Sequence, residues 1–326
     1  MKFPRRQFLH LAAGAVALPV VSRIAMAQTY PSRYVRLIVP FAAGGGFDAV
    51  AHPLAYRLSE LWGQQVVIEN KAGAGSTIGV KAAAQSAPDG YTLLMAGNNM
   101  AYSDLFYPSP GYDPVRDFAP VTVLCNFPNL MVVPNASPAR SVKQFIDYAK
   151  ANRGKISCAS SGTGTTVHLS GELFKRMAGI EMTHVPYRGV GPALNDLIAG
   201  RVDVMFGTMT GTWLQAQNGA LRALAVTSNT RSPFAPDIPT IAETGLPEFD
   251  VSSWYAIFLP VKTPTEIVKK VHDDVVLALA HPSIKQSFEA IGVVGSPSTP
   301  AELGGYLKAE TAKWGPIIKA ANIKVE

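Results

Sequence analysis

The feature that most constrains this chain is a unit it uses more than once: a short apolar run, a glycine- or threonine-rich loop, then a helix. Arg36 to Phe41 is the first run, and Ala42-Ala43-Gly44-Gly45-Gly46 ends it. Val50, Leu54, Leu58 and Leu61 then recur at helical spacing, with Asp48 as the expected N-cap. Gln65 to Glu69 reads as a strand, Ala72-Gly73-Ala74-Gly75-Ser76 as a second loop, and a small-residue helix runs on through Ala84. Tyr91 to Met95 is a third strand after the Asp89-Gly90 turn.

The order then recurs. Lys155 to Ala159 is a strand that opens into the loop from Ser160 to Thr166, and Leu169, Leu173 and Met177 mark one helix face. Glu181 to Pro186, the loop Tyr187-Arg188-Gly189-Val190-Gly191, a helix through Leu197 and the strand Val202 to Phe206 follow. Strands alternating with helices predict an α/β protein with mostly parallel sheets. A chain of 326 residues exceeds the size at which one core keeps growing, so the two groups read as two lobes.

Pro120 to Pro134, two apolar runs around Asn126-Phe127-Pro128-Asn129, and Leu221 to Thr227 read as the crossings between lobes. Ser253 to Leu259 is a late strand. Two closing helices each open on a capping box, Thr263-Pro264-Thr265-Glu266 and Thr299-Pro300-Ala301-Glu302, with Pro at the first helical position. The expected organisation is 1–27 signal peptide, 28–125 plus 229–326 lobe 1, and 126–228 lobe 2.

Residues 1–27 have a positive start, an apolar stretch from Leu9 to Val21 and an Ala25-Met26-Ala27 end, the pattern of a secretory signal cleaved after Ala27. Arg5-Arg6 before Phe8-Leu9 resembles a twin-arginine export signal, although Sec signals carry paired arginines too. Removing Lys2, Arg5, Arg6 and Arg23 takes the formal charge from +6 to +2, which argues against nucleic-acid binding. Only 16% of residues are charged, too few for a disordered or coiled-coil chain. Cys125 and Cys158 are the only cysteines, and an oxidising compartment gives them the option of pairing.

The loops are where chemistry is expected. Each delivers the chain into a helix start, where unpaired N–H groups and a partial positive charge attract anions. The loops Phe41 to Asp48 and Ser160 to Thr166 contain no Lys or Arg, so a carboxylate there would be held by amides, hydroxyls and water. Four or five charge-assisted hydrogen bonds, at roughly 1.5–3 kcal/mol each, suffice for about micromolar affinity before ordering costs.

Enzyme readings find less support. Gly73-Ala74-Gly75-Ser76-Thr77-Ile78-Gly79 has the spacing of a dinucleotide loop, but Ala96-Gly97-Asn98-Asn99 follows the next strand where an acid is needed. No nucleophile elbow, zinc-protease or P-loop motif is present. His52, His168 and His184 are far apart in sequence with no carboxylate at ligand spacing, and His168 reads as a first-turn helix residue rather than a general base. No catalytic residue, metal or cofactor is expected.

Taken together, Val39-Pro40-Phe41 leading into Gly44-Gly45-Gly46 and Asp48, Ala72 to Gly75, Ala87-Pro88-Asp89-Gly90-Tyr91-Thr92-Leu93, Tyr112-Asp113-Pro114 and Asp117 to Pro120 form a distinctive series. His168-Leu169, Gly171 to Phe174, Val185-Pro186-Tyr187-Arg188-Gly189, Leu221 to Thr227 and Glu310-Thr311-Ala312-Lys313-Trp314-Gly315 continue it in order. The chain resembles the periplasmic substrate-binding proteins of tripartite tricarboxylate transporters, the Bug-type solute receptors.

The resemblance implies a type II periplasmic-binding-protein fold, a Venus flytrap with the ligand cleft between lobes. It implies a monomer that binds a small carboxylic acid in the periplasm and delivers it to membrane permease subunits. The implied binding residues are Phe41, Gly45, Gly46, Phe47 and Asp48 in the first loop, then Gly75, Ser76, Asn98 and Phe127. Lobe 2 adds Ser161, Gly162, Thr165, Thr166, Tyr187, Arg188 and Phe206.

Phe47 departs from the Thr or Ser common in the family and puts an aromatic ring beside the acid site. With Phe127 and Phe206 it suggests an aromatic or apolar mono- or dicarboxylate, the alternative being that Phe47 packs away into lobe 1. Arg188, the sole permanent cation in these loops, either pairs with a ligand carboxylate or faces solvent and docks the permease, and the second reading is favoured. A receptor feeding a sensor kinase, and an exported α/β enzyme acting on carboxylates, are the alternatives.

Overall fold

A computed structural model describes residues 30–107 and 109–320, so the export-signal reading of residues 1–27 lies outside the described residues. β1 (Val35–Val39) pairs in parallel with β2 (Val66–Asn70) and β3 (Thr92–Gly97), joined by α1 (Gly46–Trp62) and α2 (Thr77–Ala84). β1 and β3 are buried on both faces and therefore read as continuous apolar runs. β4 (Phe118–Pro134) then runs 17 residues without interruption where the sequence shows two apolar runs.

Its two inner prolines explain how it stays one strand. Pro120 sits at a register shift, and Pro128 faces Ser252, the first residue of the partner strand, so neither breaks a central ladder. The turn of the sheet follows directly. As far as Pro128 β4 pairs with the late strand Ser252–Pro260, and from Asn129 onward with two strands of the second group.

That second group comprises α3 (Val142–Ala151), β5 (Ser157–Ser160), α4 (Thr166–Ala178), β6 (Thr183–Pro186), α5 (Val190–Ile198), β7 (Val204–Thr208), α6 (Met209–Gln217) and β8 (Leu221–Val226). β5 pairs in parallel with β6 and β7, while β7 and β8 run antiparallel to β4. β9 (Ser252–Pro260) returns between β3 and β4, and α7 (Thr265–Ala280), α8 (Pro282–Ala290) and α9 (Pro300–Ala320) complete the described chain. The sheet order is β2-β1-β3-β9-β4-β7-β5-β6, with β8 also on β4. Each half is thus a parallel α/β sheet, and the antiparallel strands β4 and β9 form the seam. This is the two-lobed periplasmic-binding-protein architecture.

Several local expectations are corrected. Asp48 is not the cap of α1; Gly45 is, and Asp48 lies within the first turn with its carboxylate turned back onto the loop. The capping box at Thr299 forms, its hydroxyl accepting from the Glu302 N–H while the Glu302 carboxylate accepts from the Thr299 N–H. The one at Thr263 does not, because its hydroxyl donates to the Pro260 carbonyl at 2.7 Å and leaves Pro264 as an uncapped start to α7. Cys125 and Cys158 are both free, buried on β4 and β5. Burial pushes the Cys158 thiol up to about 12, with the nearby Glu172 adding to it.

Candidate ligand site

The first loop is shaped from within. Gly44 takes a left-handed φ of +81°, and its N–H donates to Asp48 Oδ2 at 2.7 Å. Asp48 Oδ1 in turn accepts from Asn70 Nδ2 at 2.8 Å, and the same amide reaches the Phe41 carbonyl at 3.1 Å. Asp48 is therefore the strut of the loop, and its two oxygens are engaged by the fold. The loop leaves Gly45 and Gly46 at the N-terminus of α1, facing the second half of the molecule.

The opposing loop is built the same way with different residues. Thr165 caps α4 and its hydroxyl also donates to the Gly162 carbonyl at 2.7 Å. Gly164 donates its N–H to His168 Nδ1 at 3.1 Å, and Gly162 donates to the Ser160 hydroxyl at 3.1 Å. Ser160 shares a 2.6 Å hydrogen bond with His184 Nε2. The two histidines, far apart in sequence, are in fact stacked with ring centroids 3.9 Å apart. Pairing of β6 with β5 brings His184 under the first turn of α4. Burial first, then the positive charge of neighbouring groups, pulls His168 down to about 3 and His184 down to about 4. Both rings are neutral and support the loop through these hydrogen bonds.

The two helix starts open on one cavity. Gly45, Gly46, Phe41 and Phe47 form one wall, and Ser161, Thr165, Thr166, Val190 and Thr208 the other. Gly97, Asn98 and Asn99 after β3, with Ser253, Trp254 and Tyr255 of β9, form the floor. No side chain of this lining is a Lys or Arg. The Phe47 ring stacks on Phe41 at 4.6 Å and lies 3.9 Å from the Tyr255 ring. The buried Thr208 hydroxyl belongs to this lining, beside the Tyr255 hydroxyl.

A second, outer cavity shares Phe41 and Ser161 with the first. Gly75, Ser76, Tyr107, Gly162, Tyr187 and Arg188 line it. Gly75 must be glycine: its φ is +57°, and a Cβ would overlap the Thr163 carbonyl across the cleft. The adjoining Ala74 and Ser76 are also left-handed, at φ 45° and 93°, local strain of the kind that collects at binding sites.

The halves are closed over these cavities. Ala42 N–H donates to the Arg188 carbonyl at 2.9 Å, and the Tyr107 hydroxyl donates to the Thr163 carbonyl at 3.2 Å. The hydroxyls of Thr166 and Ser253 meet at 2.7 Å, and those of Thr210 and Tyr255 at 3.2 Å.

The tripartite tricarboxylate transporter family receptor profile matches residues 50–323, most of the chain. The chain belongs to this receptor family. Curated relatives include a protein of the tcbD-tcbE intergenic region of Pseudomonas sp. (strain P51), 38% identical over 94% of this chain and 92% of that one. BugT of Bordetella pertussis is 34% identical over 98% and 97%. Among solved structures, the periplasmic binding protein BugD matches with a TM-score of 0.88 and 35% identity, over 91% of this chain and 100% of that chain. Rpa4515 of R. palustris, solved with adipate, matches with a TM-score of 0.88 and 37% identity over the same shares. MatC of Rhodopseudomonas palustris, solved with malate, gives a TM-score of 0.84 at 31% identity, over 89% and 100%.

The lining of the two cavities differs in part from the set of residues expected from sequence. Phe41, Gly45, Gly46, Phe47, Asn98, Ser161, Thr165 and Thr166 line the inner cavity, and Gly75, Ser76, Gly162, Tyr187 and Arg188 the outer one. Three stand back. Asp48 is committed to the loop backbone, and Phe127 reaches the cavity only through its edge-on contact with Tyr255 at 4.7 Å. Phe206 is fully buried against Phe174, 5.2 Å between ring centroids, in the core of the second half. Sequence reasoning missed Thr208, Ser253, Trp254 and Tyr255, which lie on strands read only as apolar core; the polar residues ending β7 and opening β9 were the available signal.

Proposed function

We propose that the chain is a periplasmic solute receptor that holds a small organic carboxylate in the cleft and hands it to a membrane permease without chemical change. The observation that carries this reading is the convergence of two helix N-termini, those of α1 and α4, on one cavity whose lining has no cationic side chain. The buried Thr208 hydroxyl in the same lining supports it. The adipate and malate on structures of the same family give the ligand class. The Phe41–Phe47–Tyr255 stack favours an acid with an aromatic or otherwise apolar body, because such a ring gains contact area and offset stacking there.

The two lobes of the receptor are 28–125 with 229–326, and 126–228, hinged where β4 changes partners and where the chain returns to β9. Arg188, exposed at the rim of the outer cavity, belongs to the face turned to the permease. Export depends on the N-terminal signal, with cleavage after Ala27. The test is native mass spectrometry of the freshly purified protein, followed by calorimetry with adipate, malate, benzoate and phthalate. Binding of a carboxylate that is recovered unchanged is the expected result. Turnover, or no binding by any of the four, overturns the receptor reading; binding of malate but not benzoate or phthalate overturns its aromatic version.

A further inference from the structure

One half-buried carboxyl group stands directly behind the cavity floor without lining the cavity itself. Glu310, on α9, accepts from Asn98 Nδ2 at 2.9 Å and from Trp254 Nε1 at 3.3 Å, both through Oε1. Asn98 and Trp254 are floor residues of the inner cavity. The Asn98 amide is otherwise fully engaged, donating to the Ser252 carbonyl at 3.3 Å and accepting from the Trp254 N–H at 2.9 Å. A single carboxyl therefore fixes two floor residues from outside the site.

The other oxygen, Oε2, is buried near the Tyr102 hydroxyl, and the Trp314 indole is a further donor toward the carboxyl. Burial makes the ionised form costly, whereas the protonated form carries no net charge to desolvate. β4 and β9 contain no charged residue, and Lys313 of α9 is the one cation that bears on Glu310 among the described residues.

We propose that Glu310 is a positioning residue for the ligand cavity, holding the Asn98 amide and the Trp254 indole in place while an organic acid occupies the cleft. The part that concerns an occupying acid rests on the receptor reading. Burial pushes the carboxyl above its ordinary value, with the Trp254 and Asn98 donors, Lys313 and the Trp314 indole opposing in part.

The experiment separates the two readings because its first arm needs no ligand. Tryptophan emission is followed from pH 4 to 8 in the wild type and in E310Q, which keeps the acceptor for Asn98 and Trp254 but cannot ionise. The wild type is expected to show a transition above the usual glutamate range that E310Q lacks; superimposable profiles overturn the coupling of the carboxyl to the Trp254 indole. E310A is expected to increase acrylamide quenching of Trp254, and E310Q to restore the wild-type value. Should E310A fail to fold, E310D makes the same comparison with a shortened reach. An E310A or E310D quenching constant equal to wild type overturns the positioning role. In the second arm adipate affinity should fall at least tenfold in E310A and stay within threefold in E310Q. Failure of wild type to bind adipate counts against the ligand reading, while the fluorescence arm still decides the role of Glu310.

Discussion

Phe47 carries the chain's individuality. Its position directly after Gly46 puts it in the first turn of α1, where a side chain leans back toward the helix start and so into the cleft. There it is packed between Phe41 and Tyr255 and is nearly buried. Phe47→Ala should cost about 3 kcal/mol of stability, the low end for a buried Phe. It should also lower benzoate affinity at least tenfold more than malate affinity. Calorimetry with both acids checks this; equal losses would mean the ring is scaffold rather than recognition surface.

The stacked histidines make a second prediction at the same scale. Their folded values of about 3 and about 4 lie below the ordinary value of 6.5, so the unfolded chain takes up protons that the folded one refuses. Their contribution is complete above pH 6.5 and is lost as pH falls toward 4, at up to roughly 1.4 kcal/mol per pH unit for each ring. Denaturant unfolding between pH 7 and 4.5 should show this slope, and H184N should reduce it by about half. An unchanged slope in that variant would show that other groups govern acid stability.

At the scale of elements, the glycine loops and their helices were legible because the signals are local. A loop of small residues after an apolar run must turn, and the helix after it exposes N–H groups whatever the rest of the chain does. Partnership across the fold was not legible. The Thr263 and Thr299 boxes have the same sequence pattern, yet only the second forms, because β9 ends with the Pro260 carbonyl within reach of the Thr263 hydroxyl. His168 and His184 met for the same reason, through a strand pairing that no spacing encodes.

Asp48 shows the cost of reading a loop residue by type. An acid in the first turn of a helix that faces an anion site looks like either a cap or a ligand contact, but it is the strut that holds Gly44 and Asn70. Asp48→Ala should therefore destabilise the fold by about 2 kcal/mol, the range for charge-assisted hydrogen bonds. It should weaken acid binding through disorder of the loop, even though a negative charge has been removed near the ligand. Tighter binding in the variant would show that electrostatic relief outweighs the lost support.

For the whole molecule, the question is what lets two halves close so tightly that backbone meets backbone. At the crossing, Asn129 donates its N–H to the Thr227 hydroxyl at 2.8 Å, accepts from Ser253 at 3.0 Å and donates to Ser170 at 3.1 Å. That buried polar node ties β4, β9 and α4 together where motion must be absorbed. At the mouth, closure depends on absent side chains: Gly75 lies against the Thr163 carbonyl, and Gly46 lies against the Thr210 hydroxyl.

Gly75→Val is the direct test, because it places bulk in the closing surface while leaving the core of each half untouched. Left-handed backbone at this position adds about 1–2 kcal/mol of strain, small beside the overlap that full closure would require. The variant should keep most of its unfolding stability but stay open when acid is added, with a small-angle scattering radius of gyration that no longer contracts. Its acid affinity should drop by about two orders of magnitude, since one of the two helix starts can no longer reach the ligand, a loss of about 2.7 kcal/mol. A variant that still contracts and binds as before would mean that the outer cavity is not part of the closing surface, and that grip comes from the inner walls alone.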